Sequence, residues 1–263
     1  MSAPSSFAVI QRRRRWWYNT ADPLGAGNTA LIAALGGNSA VLAFYDARKH
    51  VTVSSGTVTQ IDDVRGASGF GPSLIGTGHA PTWNAAQQTA SNTANTMFLQ
   101  TAASTKFDVS GPLTLITVQS VPTTSSDFVC AITDGSTNTR VLGVAGNLSG
   151  NIRVIKSGGA SLACAIAPSA SMRLVMLPTS ATDYGIAIAN AVLVHVVGSG
   201  LGSAGNNVLT VFGSNAASTD TGSVWRATLV VAGDLGVGTG TAYTAAMTAT
   251  ATWAATNHNA VLA

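Results

Sequence analysis

The sequence predicts an all-β, antiparallel sandwich or jelly roll. From about residue 41 onward, short runs of aliphatic and β-branched residues recur at roughly ten-residue spacing. Turn signals rich in Gly, Pro, Asn and Asp separate the runs, and several runs are apolar at consecutive positions, as is typical of strands covered on both faces. Short strands joined by tight turns favour an antiparallel architecture.

Ten runs carry the strand prediction: 113–120, 128–133, 140–145, 151–156, 161–167, 172–177, 184–189, 191–197, 207–213 and 224–233. Turn dipeptides bound them, such as Gly111-Pro112 before the first run and Gly146-Asn147 after the third. His195 lies inside the run AVLVHVV, which favours a place in the sheet over a role as a catalytic base.

Two short helices flank the strand block. Asn28-Thr29 can cap a helix through TALIAAL, which Gly36-Gly37 would end. The segment 242–255 is rich in Ala, and its spacing places Met247 and Trp253 together with a tyrosine on one face. We therefore expect a second helix close to the end of the sequence.

The chain is predicted to divide into three parts. Residues 1–27 show no strand or helix pattern and are expected to form an extended arm, 28–40 hold the first helix and a linker, and 41–263 form the sandwich with its terminal helix. No apolar run approaches the roughly 18 residues of a membrane span. The first residues also lack the apolar segment and cleavage site of a signal peptide, so we expect assembly in a cytoplasm and no membrane contact.

The predicted arm carries a compact cationic and aromatic segment, QRRRRWWYN. Subtracting its four arginines from the formal net charge of +3 leaves −1, so the basic character belongs to this segment alone. Guanidinium groups bind carboxylates in bidentate fashion, and Arg, Trp and Tyr dominate binding hot spots. A nucleic-acid partner is disfavoured by the acidic remainder. The residues predicted to dock onto a partner are Arg12, Arg13, Arg14, Arg15, Trp16, Trp17 and Tyr18.

A resemblance to a known family rests on several segments of the strand block. FYDARKHVTVSSGTVTQIDDVRG (44–66) supplies Tyr45-Asp46 and the turn Asp63-Val64-Arg65-Gly66, and LTVFGSN with SVWRATLVVAGDLG supplies a closing pair of strands. These segments resemble the concanavalin A-like, laminin-G-like (LamG) jelly rolls of tailed-bacteriophage structural proteins. The resemblance covers about residues 41–257. It implies a jelly-roll fold, with an aromatic-Asp pair that begins a strand.

The resemblance implies a virion protein that is displayed on the particle and docked by its arm. We expect a head decoration or another capsid or tail component without enzymatic activity. Its partners would be the major capsid or tail subunits, together with further copies of the chain in a homo-oligomer. Assembly would take place in the host cytoplasm, and the location would be the virion.

The alternative function is a carbohydrate-binding adhesin module on a tail or spike, which recognises host surface glycans. Aromatic and amide side chains on loops would carry it, and the candidates are Trp83, Asn84, Asn206 and Asn207. A glycan-degrading enzyme is a third reading, disfavoured because no carboxylate pair presents itself. Asp62 and Asp63 are adjacent, and neighbouring residues on a strand point to opposite faces.

The remaining candidates are structural. Asp63 and Gly66 are expected to stabilise the turn 63–66, in which Asp63 would accept hydrogen bonds from nearby backbone N–H groups. Cys130 and Cys164 are 34 residues apart in apolar surroundings, which favours two buried thiols over a zinc site. We therefore expect no catalytic residue, no metal and no cofactor.

Overall fold

The computed structural model of the chain describes residues 24–25, 27–66, 71–76, 78–94, 96–121, 128–133, 140–148, 151–156, 161–163, 169–179, 183–188, 192–197, 205–215, 218–219, 222–235 and 245–260. The seven arm residues predicted to dock onto a partner lie outside these ranges.

The described residues form strands along most of their length. The strands are β1 Val41–Asp46, β2 Val51–Ser54, β3 Thr57–Ile61, β4 Leu74–Ile75, β5 Thr82–Asn84, β6 Thr89–Ser91, β7 Leu99–Gln100, β8 Leu113–Val121, β9 Phe128–Thr133, β10 Arg140–Leu148, β11 Asn151–Lys156, β12 Ser161–Ala163, β13 Ser169–Thr179, β14 Asp183–Ile188, β15 Val192–Val197, β16 Val208–Val211, β17 Gly213–Asn215, β18 Ser218–Thr219 and β19 Val224–Ala232. The helices are α1 Asn28–Ala34 and α2 Ala245–His258, and a 3₁₀ turn spans Thr105–Phe107.

Two antiparallel layers face each other. The first, which we call the helix-covered sheet, has the order β1–β19–β8–β13–β14–β15. The second sheet has the order β2–β3–β4–β7–β16–β9–β10–β11–β12. Strands β5 and β6 join the two layers at one edge, because β5 pairs with β3 and β6 pairs with β19. The result is a curled sandwich, and the all-β prediction is confirmed.

Most strand boundaries follow the sequence pattern. The runs 128–133 and 151–156 match β9 and β11 residue for residue. Strand β13 extends beyond its predicted run at both ends because it pairs with β8 from Ser169 to Thr179, and this pairing includes Pro178. Tyr45-Asp46 ends β1 and does not begin a strand, which corrects the expectation taken from the resemblance.

The helix-covered sheet is apolar on both of its faces. Along β8, Leu115 belongs to an inner cluster between the two sheets, whereas its neighbour Ile116 belongs to an outer cluster beneath the helices. Strand β19 repeats the alternation with Val230 inside and Leu229 outside. The period-2 geometry of a strand produces this division. Both faces exclude water, which explains the consecutive apolar residues in these runs.

Helices α1 and α2 cover the outer face. Met247 and Trp253 of α2 and Leu31 of α1 pack in the outer cluster. The sequence predicted Asn28 at the cap of α1, but the cap is Gly27, whose φ of 74° suits glycine. Asn28 is instead fully buried, where its amide Nδ2 donates to Asp46 Oδ2 at 3.4 Å and its Oδ1 accepts from Trp253 Nε1 at 2.9 Å. The side chain therefore connects α1 with α2 and β1.

A buried ionic network fastens the end of α2 to β1 and β19. Arg48 donates from Nη2 to Asp46 Oδ2 at 2.6 Å and from Nη1 to the carbonyl of Asn257 at 2.9 Å. Arg226 donates to the carbonyl of His258 at 2.9 Å, and His258 Nε2 lies 3.1 Å from Arg48 Nη2. Burial tends to raise the pKa of Asp46, but hydrogen bonds from Arg48 bring it below its ordinary value.

Burial lowers the pKa of His258 to about 3, and the positive charges of Arg48 and Arg226 act in the same direction against the attraction of Asp46. The imidazole is therefore neutral in the folded protein at neutral pH. Unfolding exposes a histidine with a pKa near 6.5, so the unfolded state binds the additional proton. Stability that is present above pH ~6.5 is lost as the pH falls towards about 3.

We therefore predict that the free energy of unfolding falls by about 2 kcal/mol between pH 7 and pH 5. His258→Gln removes the titrating group, so its stability should depend less on pH over this interval. Urea denaturation at both pH values measures the difference. His50→Asn is the matched control, because it removes a histidine that is exposed. An unaltered pH dependence in the His258 variant would contradict the assignment.

Candidate functional site

Two polar side chains share the inner face of the helix-covered sheet, and we call them the inner polar pair. Gln119 of β8 lies opposite Arg173 of β13 on one side and opposite Trp225 of β19 on the other. Directly opposed residues on neighbouring strands have Cβ atoms roughly 5 Å apart and project from the same face. Trp225 belongs to the inner cluster, so the face that carries the pair is the interior of the sandwich.

The inner polar pair lacks the partners that buried polar groups normally have. Gln119 is fully buried, and neither its Nε2 nor its Oε1 has a hydrogen-bond partner. The buried Nε of Arg173 is also unpartnered. Ser223, two residues before Trp225, adds a third unpartnered buried group through its hydroxyl. An unsatisfied buried group of this kind costs about 1–3 kcal/mol, which makes the cluster unusual in a folded interior.

A β-bulge in β19 places Trp225 beside the pair. The register with β8 advances by one residue, from Gln119 to Val118, while β19 advances by two, from Trp225 to Ala227. The extra residue reverses the alternation, so Trp225 faces inward and Ala227 faces the helices. The indole Nε1 donates to Thr228 Oγ1 at 2.8 Å, which fixes the ring.

The same interior row continues across the edge strands. Trp225 lies opposite Ala90 of β6, and Ala90 lies opposite Trp83 of β5. Trp83 is half-buried and packs against the inner cluster, and the adjacent Asn84 is exposed. Apolar side chains thus extend from the inner polar pair to the half-buried Trp83.

The inner polar pair lies at the rim of the interior. Along β13, Ser171 is exposed, Met172 and Arg173 are half-buried, and residues 174–179 are buried. Arg173 therefore stands where the interior opens to solvent, with the fully buried Gln119 beyond it. Together they offer a cation, an amide donor and an amide acceptor to a small polar group.

Sequence reasoning missed the inner polar pair. Gln119 and Arg173 are 54 positions apart in the numbering and belong to strands whose other residues are mostly apolar. A usable signal did exist, because each is a long polar side chain within a run of aliphatic residues. The period-2 alternation along each run places that side chain on the inward-facing side of its strand. The register that brings them together follows only from the pairing of β8 with β13.

The predicted glycan-binding residues fall into two separate places. The backbone N–H of Trp83 donates to Gly56 at 2.8 Å, beside the β2–β3 hairpin, whereas Asn207 bridges to Ser104. The aligned register of β3, β4, β7 and β16 puts these positions roughly 20 Å apart along the strand direction.

Neighbouring residues within each of these two places, Trp83 with Asn84 and Asn206 with Asn207, also differ in exposure. Asn84 and Asn206 are exposed, whereas Asn207 is buried and donates to the carbonyl of Phe107 at 2.7 Å. Asn84 Oδ1 accepts from the backbone N–H groups of Ala86 and Gln87 at 3.1 Å, so it also orders its own turn. The four residues do not form one site.

Asp63 and Gly66 lie beside the free edge of β1. Asp63 Oδ2 accepts from the backbone N–H of Phe44 at 2.9 Å, and its Oδ1 accepts from the backbone N–H of Arg65 at 3.0 Å. Gly66 donates to the carbonyl of Asp63 at 2.8 Å with a φ of 102°. Arg65 pairs with Asp63 at 2.7 Å and donates to the carbonyl of Val41 at 2.8 Å. The segment closes a turn and occupies hydrogen-bonding groups of an edge strand.

Of the other titratable candidates, Asp62 and Cys130 have structural contacts. Asp62 Oδ1 accepts from Gln60 at 2.6 Å and from Ser73 at 2.5 Å. Cys130 is buried, and burial raises the pKa of its thiol to about 12, which keeps it protonated. Cys164 lies outside the described residues, and His195 is on β15.

The described residues contain neither a candidate metal-binding group nor a membrane-spanning helix. No group of three or more His, Cys, Asp or Glu residues in these ranges could hold a metal ion. Neither of the two described helices combines the length and apolar character needed to cross a membrane.

Comparisons with known proteins identify the fold alone. No family model and no curated protein matches the chain. Among solved structures, Trypanosoma rangeli sialidase in complex with 2,3-difluoro-KDN is similar over 82% of this chain and 33% of that one, with a TM-score of 0.58 and 11% identity. The same enzyme in complex with sialic acid is similar over 75% of this chain and 31% of that one, with a TM-score of 0.56 and 12% identity.

These sialidases are about three times longer than the matched region. The chain covers 33% of the sialidase that was solved as a covalent intermediate with 2,3-difluorosialic acid, at a TM-score of 0.52 and 10% identity over 82% of this chain. The likeness establishes a shared β architecture and transfers neither activity nor substrate.

The prediction that the chain is not an enzyme is contradicted by these comparisons. Solved chains that share its fold belong to sialidases, so the fold gives no ground for excluding catalysis. The prediction relied on the lack of a carboxylate pair close together in the sequence. Strand pairing, however, joins residues that are far apart in the chain, as it does for Gln119 and Arg173.

We predict that Gln119→Met raises the free energy of unfolding by about 1 kcal/mol or more, because it removes two unpartnered buried polar atoms at nearly constant volume. Denaturant unfolding of the purified protein measures the change. Gln100→Met is the matched control, since Gln100 Nε2 donates to Thr210 Oγ1 at 3.0 Å and its loss should lower stability. A destabilised Gln119 variant would show that the amide has a stabilising partner.

Proposed function

We propose that the chain is a tailed-bacteriophage virion protein whose sandwich is a concanavalin A-like, LamG-like jelly roll displayed on the particle. The arm, residues 1–23 of the predicted 1–27, docks it onto a neighbouring capsid or tail subunit. A head decoration is favoured, and further copies of the chain are expected in the assembly. The observation that carries the proposal is the concentration of positive charge at Arg12–Arg15 in the arm.

Two arginines of the sandwich are used internally. Arg48 pairs with Asp46 at 2.6 Å and Arg65 pairs with Asp63 at 2.7 Å, and both carboxylates are fully buried. Such pairs contribute to the fold and leave no net charge for a partner. The four arginines at 12–15 exceed the whole formal net charge of +3, so the excess of positive charge in the sequence lies in the arm.

The position where the arm meets the sandwich is defined by Leu24 and Gly27. Leu24 packs against the outer cluster beside the helices, and Gly27 precedes α1. The arm therefore joins the sandwich on its helix-covered side. A partner on this side would need an acidic, partly apolar groove, because guanidinium groups pair with carboxylates and indole rings seek burial.

Deletion of residues 1–22 tests docking without removing Leu24 or Gly27. The shortened protein should fold with unchanged thermal stability but fail to enter particles that lack the full-length protein. Quantitative mass spectrometry of purified particles measures its incorporation. Replacement of Arg12–Arg15 by lysine is the matched control for charge, and partial incorporation is expected because Lys lacks the bidentate geometry. Full incorporation of the shortened protein would overturn the docking role.

A second candidate function is the recognition of surface glycans by the sandwich. It is supported by the interior row, in which the half-buried Trp83 connects the surface with Trp225 and the inner polar pair. Sugar sites combine an apolar ring face with a small number of directed polar groups. This row has both elements.

For this candidate, we expect the purified protein to bind a subset of glycans on a host-polysaccharide array. Trp83→Ala should reduce the signal several-fold through loss of ring contact. The matched control is Asn206→Ala, an exposed side chain near the opposite end of the sandwich that should leave binding unchanged. Equal loss in both variants would place the glycan elsewhere.

A further inference from the structure

We propose that the inner polar pair binds the carboxylate of an acidic sugar. This inference rests on the second candidate function, glycan recognition, and deepens it by naming the ligand class. The pair is defined by register, since Gln119 is opposed to Arg173 on one side and to Trp225 on the other.

The charge of the cluster favours an anion. Arg173 is a permanent cation, and the described residues place no carboxylate in an ion pair with it. Its Nε, the amide Nε2 of Gln119 and the hydroxyl of Ser223 are three unpartnered buried groups that can donate hydrogen bonds. A carboxylate accepts several such bonds, and bonds from a guanidinium to an ionised acceptor are about twice as strong as neutral ones.

The other features of the cluster suit a sugar better than a simple anion. Gln119 Oε1 is an acceptor without a partner, and it can receive a bond from a hydroxyl group next to the carboxylate. A carboxylate and a hydroxyl on adjacent ring carbons offer this combination on two separate groups, whereas a phosphate ion carries its charge and any P–OH donor on a single phosphorus centre. Trp83 is half-buried at the far end of the row that runs from Trp225 through the fully buried Ala90, and it offers a ring face to a further sugar.

The location permits entry of a ligand. Arg173 is half-buried on a strand whose burial rises from the exposed Ser171 to the fully buried Leu174, so it stands at the rim. The fully buried Gln119 lies one strand further in. A ligand that reaches Arg173 from solvent would then satisfy the amide that the folded protein leaves without partners.

Paired sugars that differ only in the acid group test the proposal. Glucuronic acid with glucose, and galacturonic acid with galactose, are titrated into the full chain by calorimetry, with inorganic phosphate as a separate probe. We expect each acid to bind at least about tenfold more tightly than its neutral partner. A higher salt concentration should weaken the binding of the acids and leave the binding of the neutral sugars unchanged.

Arg173→Gln should abolish the preference for the acid, and Ser223→Ala should weaken binding of the acid with little change in fold. Lys106→Met is the matched control for the loss of one positive charge, because Lys106 lies in the 3₁₀ turn and should leave the preference intact. Thermal melts establish that each variant is folded. If Arg173→Gln does not fold, Ser223→Ala and the salt dependence still decide the outcome.

The experiments distinguish failure of the acidic-sugar site from failure of glycan recognition as a whole. Equal binding of acids and neutral sugars, or an acid preference that survives Arg173→Gln, overturns the acidic site while glycan recognition stands. Phosphate that binds as tightly as the acids shows a general anion site and also overturns the proposal. If no saccharide binds here or on the glycan array, both the site and the second candidate function fail.

Discussion

The helix-covered sheet must keep apolar side chains on both of its faces, and the rest of the structure depends on this constraint. One face closes the sandwich interior and the other receives α1 and α2, so neighbouring residues of β8 such as Leu115 and Ile116 serve different clusters. On β1, β8, β13 and β19 the buried positions face one apolar cluster or the other, so a polar residue buried there needs a partner or a ligand. Thr117 and Thr228 meet that demand by bonding across β8 and β19 at 3.2 Å.

The charged residues that the fold itself uses lie at the border of this sheet. Asp46 and Asp63 are fully buried, and each is paired with the arginine two positions later, Arg48 or Arg65. The Asp46–Arg48 pair holds the end of α2, and the Asp63–Arg65 pair lies against the edge of β1. Breaking a buried pair leaves an uncompensated charge that costs about 3–5 kcal/mol, so these pairs also specify the position of the helix and of the edge.

The sequence was sufficient for the all-β class and insufficient for the site. Local apolar runs bounded by turn residues located β9 and β11 to the residue, because strand formation and turn chemistry are local properties. Asn28 was misassigned because a good capping residue can be recruited by a distant carboxylate and indole once it is buried. The bulge after Trp225 and the Gln119–Arg173 register are set by tertiary pairing, which no local pattern contains.

The two polar arrangements on this sheet differ in how their central buried groups are paired, although Arg226 Nε and His258 Nδ1 of the outer network also lack partners. On the outer face, Asp46 accepts from Arg48 and Asn28, so its buried charge is compensated. On the inner face, Gln119 is equally buried but has no partner for either amide atom. Aliphatic residues of similar size would fill that position at lower cost, as they do at Leu115. The fold pairs other buried amides, such as those of Asn28 and Asn207, and leaves the amide of Gln119 without a partner, which is why the proposed ligand site is centred on it.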